Sequence, residues 1–398
     1  MNLSDLYRLL RAGIYTNPLN EAAELPIVYG DLTYGSSGNW IAPCIDTIQF
    51  IYCFAAHEVL SVANGNSISV YKDDVLVSSG YTFDESNNVE SKGAIATITF
   101  TSSQGNAVIS CKGKGRANGS SLIENIIDQI YDFFITLNGF DSTEFDDSTK
   151  AKSKTIFNNQ GYKAAGVINK DLTYFSILST MLNSFLGRAY RNFNKKIVIL
   201  IDDNNYNQYI QSDRITKGSV EVIYAERFRS DIINRCPIKY AYNYVNNIYK
   251  RELNADSHIN KSSQTKYGER LPRTGSFNLS WCYDSTSASI IQNLIIEKYN
   301  EPPFKITVED NSLERCLLES DDLFSLTIDW LYNRDIETLV NELWRVLNLK
   351  NNLDAGDGRL QYVCEDTKAF LTTAYLADGT YEAEGSVIAG GKRDTTEY

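Results

Sequence analysis

Hydrophobic and polar positions alternate with a period of two through much of this chain. Between Leu25 and Lys112 the clearest runs are Ile48-Gln49-Phe50-Ile51-Tyr52-Cys53-Phe54, Ser67-Ile68-Ser69-Val70-Tyr71, Ala94-Ile95-Ala96-Thr97-Ile98-Thr99-Phe100 and Ala107-Val108-Ile109-Ser110-Cys111. Successive side chains of a strand point to opposite faces, so short alternating runs divided by turn residues predict a β-sandwich or barrel. A second group lies further on. Ile238-Lys239-Tyr240-Ala241-Tyr242-Asn243-Tyr244-Val245 and Phe277-Asn278-Leu279-Ser280-Trp281-Cys282-Tyr283 read as strands, and the polar stretch holding Ser262 to Arg270 reads as a loop between them. Phe304-Lys305-Ile306-Thr307-Val308 is a strand after the Pro302-Pro303 stop. The apolar run Ile197-Val198-Ile199-Leu200-Ile201 predicts a buried strand, and Glu221-Val222-Ile223-Tyr224 another.

Helical spacing marks fewer segments. Ile123, Ile126, Ile127, Ile130, Phe133, Phe134 and Leu137 recur on one face, with Ser121-Leu122-Ile123-Glu124 matching a capping box and Gly139 placed to close the helix. Phe175, Leu178, Leu182 and Phe185 predict a second helix from about Thr173 to Leu186. Ala288, Ile291, Leu294, Ile295 and Tyr299 predict a third over 285–299, capped by Asp or Ser. Residues 3–13 read as a short amphipathic helix before Asn17-Pro18, and Asp378-Gly379 as a hairpin turn. Around 334–348 periodicity alone fits a helix or a strand.

The expected class is therefore α+β and β-rich, with small sandwich or barrel domains and a few packed helices. At 398 residues the chain exceeds the size of one typical core. The boundaries read as an N-terminal β domain over 1–118, an α+β domain over 119–235 and a β-rich domain over 236–398. No internal repeat is visible. A net charge of -12 and a pI near 4.8 argue against gripping nucleic acid through its phosphates. No signal peptide is expected, because Asp5, Arg8 and Arg11 interrupt the N-terminus. No membrane span is expected either, because no apolar run approaches the ~20 residues needed. The seven cysteines (Cys44, Cys53, Cys111, Cys236, Cys282, Cys316 and Cys364) are scattered and odd in number, which reads as reduced thiols made in a cytoplasm. The 26 tyrosines suit protein interfaces.

Five places carry residue types that could do chemistry. Tyr71-Lys72-Asp73-Asp74 has the form of a polymerase YxDD but sits in a short hairpin as a turn. Gly113-Lys114-Gly115-Arg116 lacks phosphate-loop spacing and reads as a connection. Cys44, Cys53 and His57 invite a thiol-catalysis reading, with His258 the chain's other imidazole, but lie in apolar text with no third group to orient them. Asp146-Asp147, Asp202-Asp203 and Asp321-Asp322 sit at element edges, where Asp caps or turns. Asp354-Ala355-Gly356-Asp357-Gly358 is a turn. No catalytic, cofactor-binding or metal-binding residue is expected.

The order of features in 236–327 resembles the hub and tail-tip proteins of long-tailed bacteriophages, including the J-type host-specificity and baseplate-hub groups. The residues that carry the likeness are Tyr240–Val245, Ser263-Gln264-Thr265-Lys266-Tyr267-Gly268 and the Trp281 strand. They continue through the helix near Ala288, Pro302-Pro303 and Asp321-Asp322-Leu323-Phe324-Ser325-Leu326-Thr327. Pro26-Ile27-Val28-Tyr29-Gly30-Asp31 and Tyr375-Leu376-Ala377-Asp378-Gly379 are similar to such proteins too. The resemblance implies a non-enzymatic virion structural protein, self-assembled as a trimer or ring at the tail tip or baseplate. It closes the tail tube and touches distal tail, tape-measure and receptor-binding tail proteins, and DNA passes nearby without being specifically bound. It also implies strands around Trp344. Two other readings are an adhesin that binds receptor or carbohydrate through tyrosines, and a cell-wall hydrolase.

Overall fold

The alternating runs of the first third form two four-stranded antiparallel sheets. In the computed structural model one sheet joins Trp40–Ile41, Ile109–Lys112, Ser69–Lys72 and Val75–Val77 in that order. The other joins Cys44–Asp46, Ile51–Ala55, Ala94–Phe100 and Tyr81–Asn88. The structure describes residues 25–33, 38–88, 94–169, 172–192, 194–202, 214–215, 220–227, 231–302, 304–310, 323–332, 338–351 and 360–366. The features expected at 3–13, Asp203, Cys316, Asp321-Asp322, 354–358 and 375–379 lie outside them.

The two sheets share a core. Trp40 Nε1 donates to the Phe54 carbonyl at 2.9 Å, and its ring meets the Phe54 ring edge-on at 4.9 Å. All of Ile51–Ala55 is buried because both faces of that strand are covered. Tyr52 and Phe54 enter the main core, whereas Ile51 and Cys53 join a smaller cluster with Leu25, Ile45, Ala56 and Ile95. Burial on both sides explains why the alternation is blurred there.

Ile27–Tyr29 leaves these sheets to pair antiparallel with Gly166–Ile168. Around that pair the helices gather. Helix α1 (Ile126–Tyr131) continues as a π-helix over Asp132–Leu137 and ends before Gly139, whose φ is 71°. Its cap is Asn125, which accepts from the Ile127 amide at 2.9 Å. The expected capping box at Ser121 is thus corrected, since Ser121 pairs with Asn118 across a tight hairpin. Helix α2 (Asp147–Asn159), not anticipated, is capped by Asp146. Helix α3 (Tyr174–Asn183), expected from about Thr173 to Leu186, is capped by Thr173 and stops three residues sooner.

Beyond these, Gly187–Arg191 pairs with Ile197–Ile201, and Ile238–Asn243 forms a three-stranded sheet with Ile248–Leu253 and Phe277–Asn278. Two expectations are corrected here. The polar stretch holds helix α4 (Lys261–Tyr267), capped by Asn260. The strand expected over 277–283 covers only its first two residues, after which the chain turns and Trp281 is buried. Helix α5 (Ser285–Tyr299) matches its expectation, with Asp284 accepting from the Thr286 and Ser287 amides.

One apolar cluster runs from Ile27 to Ile296 and draws residues from all three expected units. Past it comes a six-stranded sheet, in the order Arg214–Ile215, Leu323–Tyr332, Thr338–Asn351, Leu360–Asp366, Phe304–Asp310 and Val220–Arg227. The ambiguous segment around Trp344 is a strand. Phe304, Ile306, Val308, Phe324, Trp344, Val346, Tyr362 and Cys364 are buried in this sheet. The chain is a β-rich α+β protein. No helix among the described residues is long and apolar enough to cross a membrane.

Candidate functional site

The ionisable groups singled out in the sequence are dispersed through the fold. His57 is buried, its Nε2 accepting from the Val28 amide at 3.0 Å. That bond places the ring proton on Nδ1, which donates to the Glu58 carbonyl at 2.8 Å. Burial, with Arg116 nearby, lowers its pKa to about 4, so the imidazole is neutral. Both ring nitrogens are engaged by backbone, and neither serves a thiol. Burial pushes the Cys53 and Cys111 thiols far up, and all six described cysteines are buried and reduced. His258 lies elsewhere, 2.9 Å from the Ser289 hydroxyl.

Asp73 and Asp74 occupy the left-handed region, with φ of 48° and 65°, in the hairpin between Ser69–Lys72 and Val75–Val77. Asp73 also accepts from the Val108 amide at 2.9 Å. The Gly113–Arg116 segment packs against backbone. A Cβ on Gly115 would sit 2.3 Å from the Val28 carbonyl oxygen, so only glycine allows that approach. Arg116 Nε lies 2.6 Å from Asp132, and Tyr29 donates to the same carboxylate at 2.7 Å. Asp146 caps α2, and its hydrogen bond from Ser148 heads the causes that lower its pKa.

Asp202 is where buried charge concentrates. It follows the strand Ile197–Ile201 and accepts from Lys298 on α5, with Arg345 Nη1 at 3.3 Å and Arg188 at 3.8 Å. Arg345 also donates to Glu365 at 2.7 Å, directly across the strand pair. Burial alone would raise the Asp202 pKa, but Lys298, Arg345 and Arg188 hold it well below the carboxylate range. Burial lowers the Lys298 pKa, and Asp202 opposes that shift. The cluster ties the six-stranded sheet to the body of the molecule. Among the described residues no group of three or more His, Cys, Asp or Glu is gathered to hold a metal ion.

Two surface features remain. The outer strand Val75–Val77 presents Val75 and Leu76, 69% and 59% exposed. Val108 is exposed beside the same turn. A cleft of about 250 Å³ opens between α3 and the hairpin 238–253, walled chiefly by Tyr242, Tyr244, Tyr249, Trp281 and Ile177. Tyr249 lies directly opposite Tyr242 in the strand pair, with ring centroids 4.9 Å apart. The Tyr242 and Tyr244 rings meet at 84° and 5.0 Å. Left-handed Ala241, φ 57°, shifts the strand's alternation, so Tyr240 is buried while Tyr242 is half-exposed beside the cleft.

Sequence reasoning did not reach the Asp202 cluster, in which Asp202 and Arg345 lie 143 positions apart. Tyr249 was within reach: Asn246-Asn247 between two alternating runs signals a hairpin that sets it across from Tyr242. Models of known protein families give no match to this chain, and neither do curated proteins.

Proposed function

We propose that this chain is a virion structural protein of a long-tailed phage, a tail-hub or tail-tip subunit that closes the tail tube. It joins the tube to baseplate or receptor-binding components and works through surfaces rather than chemistry. The ordered features of 236–327 motivate the family. The observation that carries the assembly role is the outer strand Val75–Val77, which sets large apolar side chains on a sheet edge that is paired on one side only among the described residues. Such an edge is a template for pairing with another chain, which soluble proteins normally blunt with charge or proline. Its occupant in this reading is a neighbouring copy in a closed ring.

The ionisable groups support the same reading, because each strongly shifted one described above is engaged in folding. The chain's charge of -12 suits a ring whose lumen lets DNA slide past without adhering. The experiment is immunogold labelling with antibody raised against the purified chain, applied to particles that contain it. Gold at the tip of the tail is expected. Gold confined to capsids, or on no particle, contradicts the proposal.

A further inference from the structure

The aromatic cleft has a composition that selects among ligands. Three tyrosines and a tryptophan wall it, Asn169, Thr180 and Ser280 supply its polar groups, and among the described residues no lining side chain is charged. Burial raises the pKa values of Tyr242, Tyr244 and Tyr249, the last to about 12, so the phenols stay neutral. A carboxylate or phosphate finds no counter-ion in this lining, and a primary ammonium would lose hydrogen bonds to water that few acceptors replace. A cation without N–H groups has neither difficulty. It is drawn to the negative faces of aromatic rings, most strongly where water is excluded. The cleft, at about 250 Å³, is smaller than the roughly 300–1,000 Å³ of sites that enclose drug-sized ligands, so it suits a compact head group. The left-handed Ala241 that turns Tyr242 toward it is a conformation disfavoured for a residue bearing a Cβ, and such outliers gather at ligand sites.

We infer that this cleft binds a quaternary trimethylammonium group, with Tyr242 and Tyr249 as its outer wall. The inference does not depend on the tail-hub assignment. Its test is titration of the full chain with choline chloride, against sodium chloride at matched ionic strength, followed by calorimetry and ligand-observed NMR. Choline should saturate the site, and its uncharged isostere 3,3-dimethylbutan-1-ol should bind about tenfold more weakly. Tyr249→Leu keeps the cleft apolar and should weaken choline several-fold while leaving the isostere unchanged. Tyr249→Phe should retain choline within about threefold. A phosphocholine arm distinguishes sources: binding within about threefold of choline assigns an esterified head group whose phosphate stays in solvent, and much weaker binding assigns the bare cation. Failure of choline to saturate at tens of millimolar, equal affinity for the isostere, or choline binding unaffected by Tyr249→Leu overturns the inference.

Discussion

The body spanning Ile27 to Ile296 and the six-stranded sheet beyond it meet the problem of burial in different ways. In the body, buried polar groups are satisfied largely one at a time by backbone. His57 bonds to Val28 and Glu58, Asn66 to Leu60 and Lys114, and Gln129 to Ile123 and Ala164. Where the sheet meets the body, full charges face one another instead: Asp202, Lys298, Arg345 and Glu365. Apolar contact is non-directional and tolerates sliding. A buried ion cluster adds little net stability but makes one arrangement far better than its neighbours, because each misplaced charge is uncompensated. The difference indicates that orientation of the sheet, more than its adhesion, is what this junction secures.

Removing one charge is the strongest way to break that comparison. Asp202→Asn leaves Lys298 and Arg345 without their shared counter-ion and should cost about 3–5 kcal/mol in chemical unfolding. Proteolysis of the variant should cut first at the sheet's connections and spare the body.

Acidification tests the other side. The folded-state pKa of His57, about 4, lies below its ordinary 6.5, so the unfolded chain takes up the proton first. Stability from this group is therefore complete above pH 6.5 and falls as pH drops toward 4, by roughly 3 kcal/mol in all. Asp202 does not titrate in that window, because its carboxylate is held low. Replacing His57 with Gln should flatten this part of the stability–pH curve, and the midpoint of urea unfolding across the range measures it.

Smaller effects sharpen the picture. Asp146→Ala removes the cap of α2 and should cost about 1 kcal/mol, read as a lower thermal midpoint. Leu76→Glu lies on an exposed edge outside both cores and should change monomer stability by less than about 0.5 kcal/mol. Its consequence should appear in self-association instead.

The parts of the fold visible in the sequence were those where local signals agree. Asp284 followed by regularly spaced aliphatics marked α5, and Ala94–Phe100 read as the strand it forms. Helix α2 was hidden because it is polar nearly throughout, burying only Ser153, Ile156 and Phe157, and its cap Asp146 read as half of an acidic pair. Helix α4 is short and polar, so its text looked like a loop. The Ser121 box lost to Asn125 because a tight hairpin, with Gly119 at φ 60°, takes Ser121 into strand pairing first. Of the candidate residues, Asp73-Asp74 as a turn and Asp146 as an element-edge cap were legible without coordinates. The aromatic cleft and the ion cluster were not, because both depend on contacts between distant segments.

Self-association of the purified chain is the most direct test of the central claim, that this protein acts by fitting copies of itself and its neighbours together. Native mass spectrometry and sedimentation over a range of concentrations should give one closed oligomer, a trimer or a larger ring, that Leu76→Glu disperses. A monomer persisting to the highest concentration, alone or with the variant indistinguishable from it, would contradict the account.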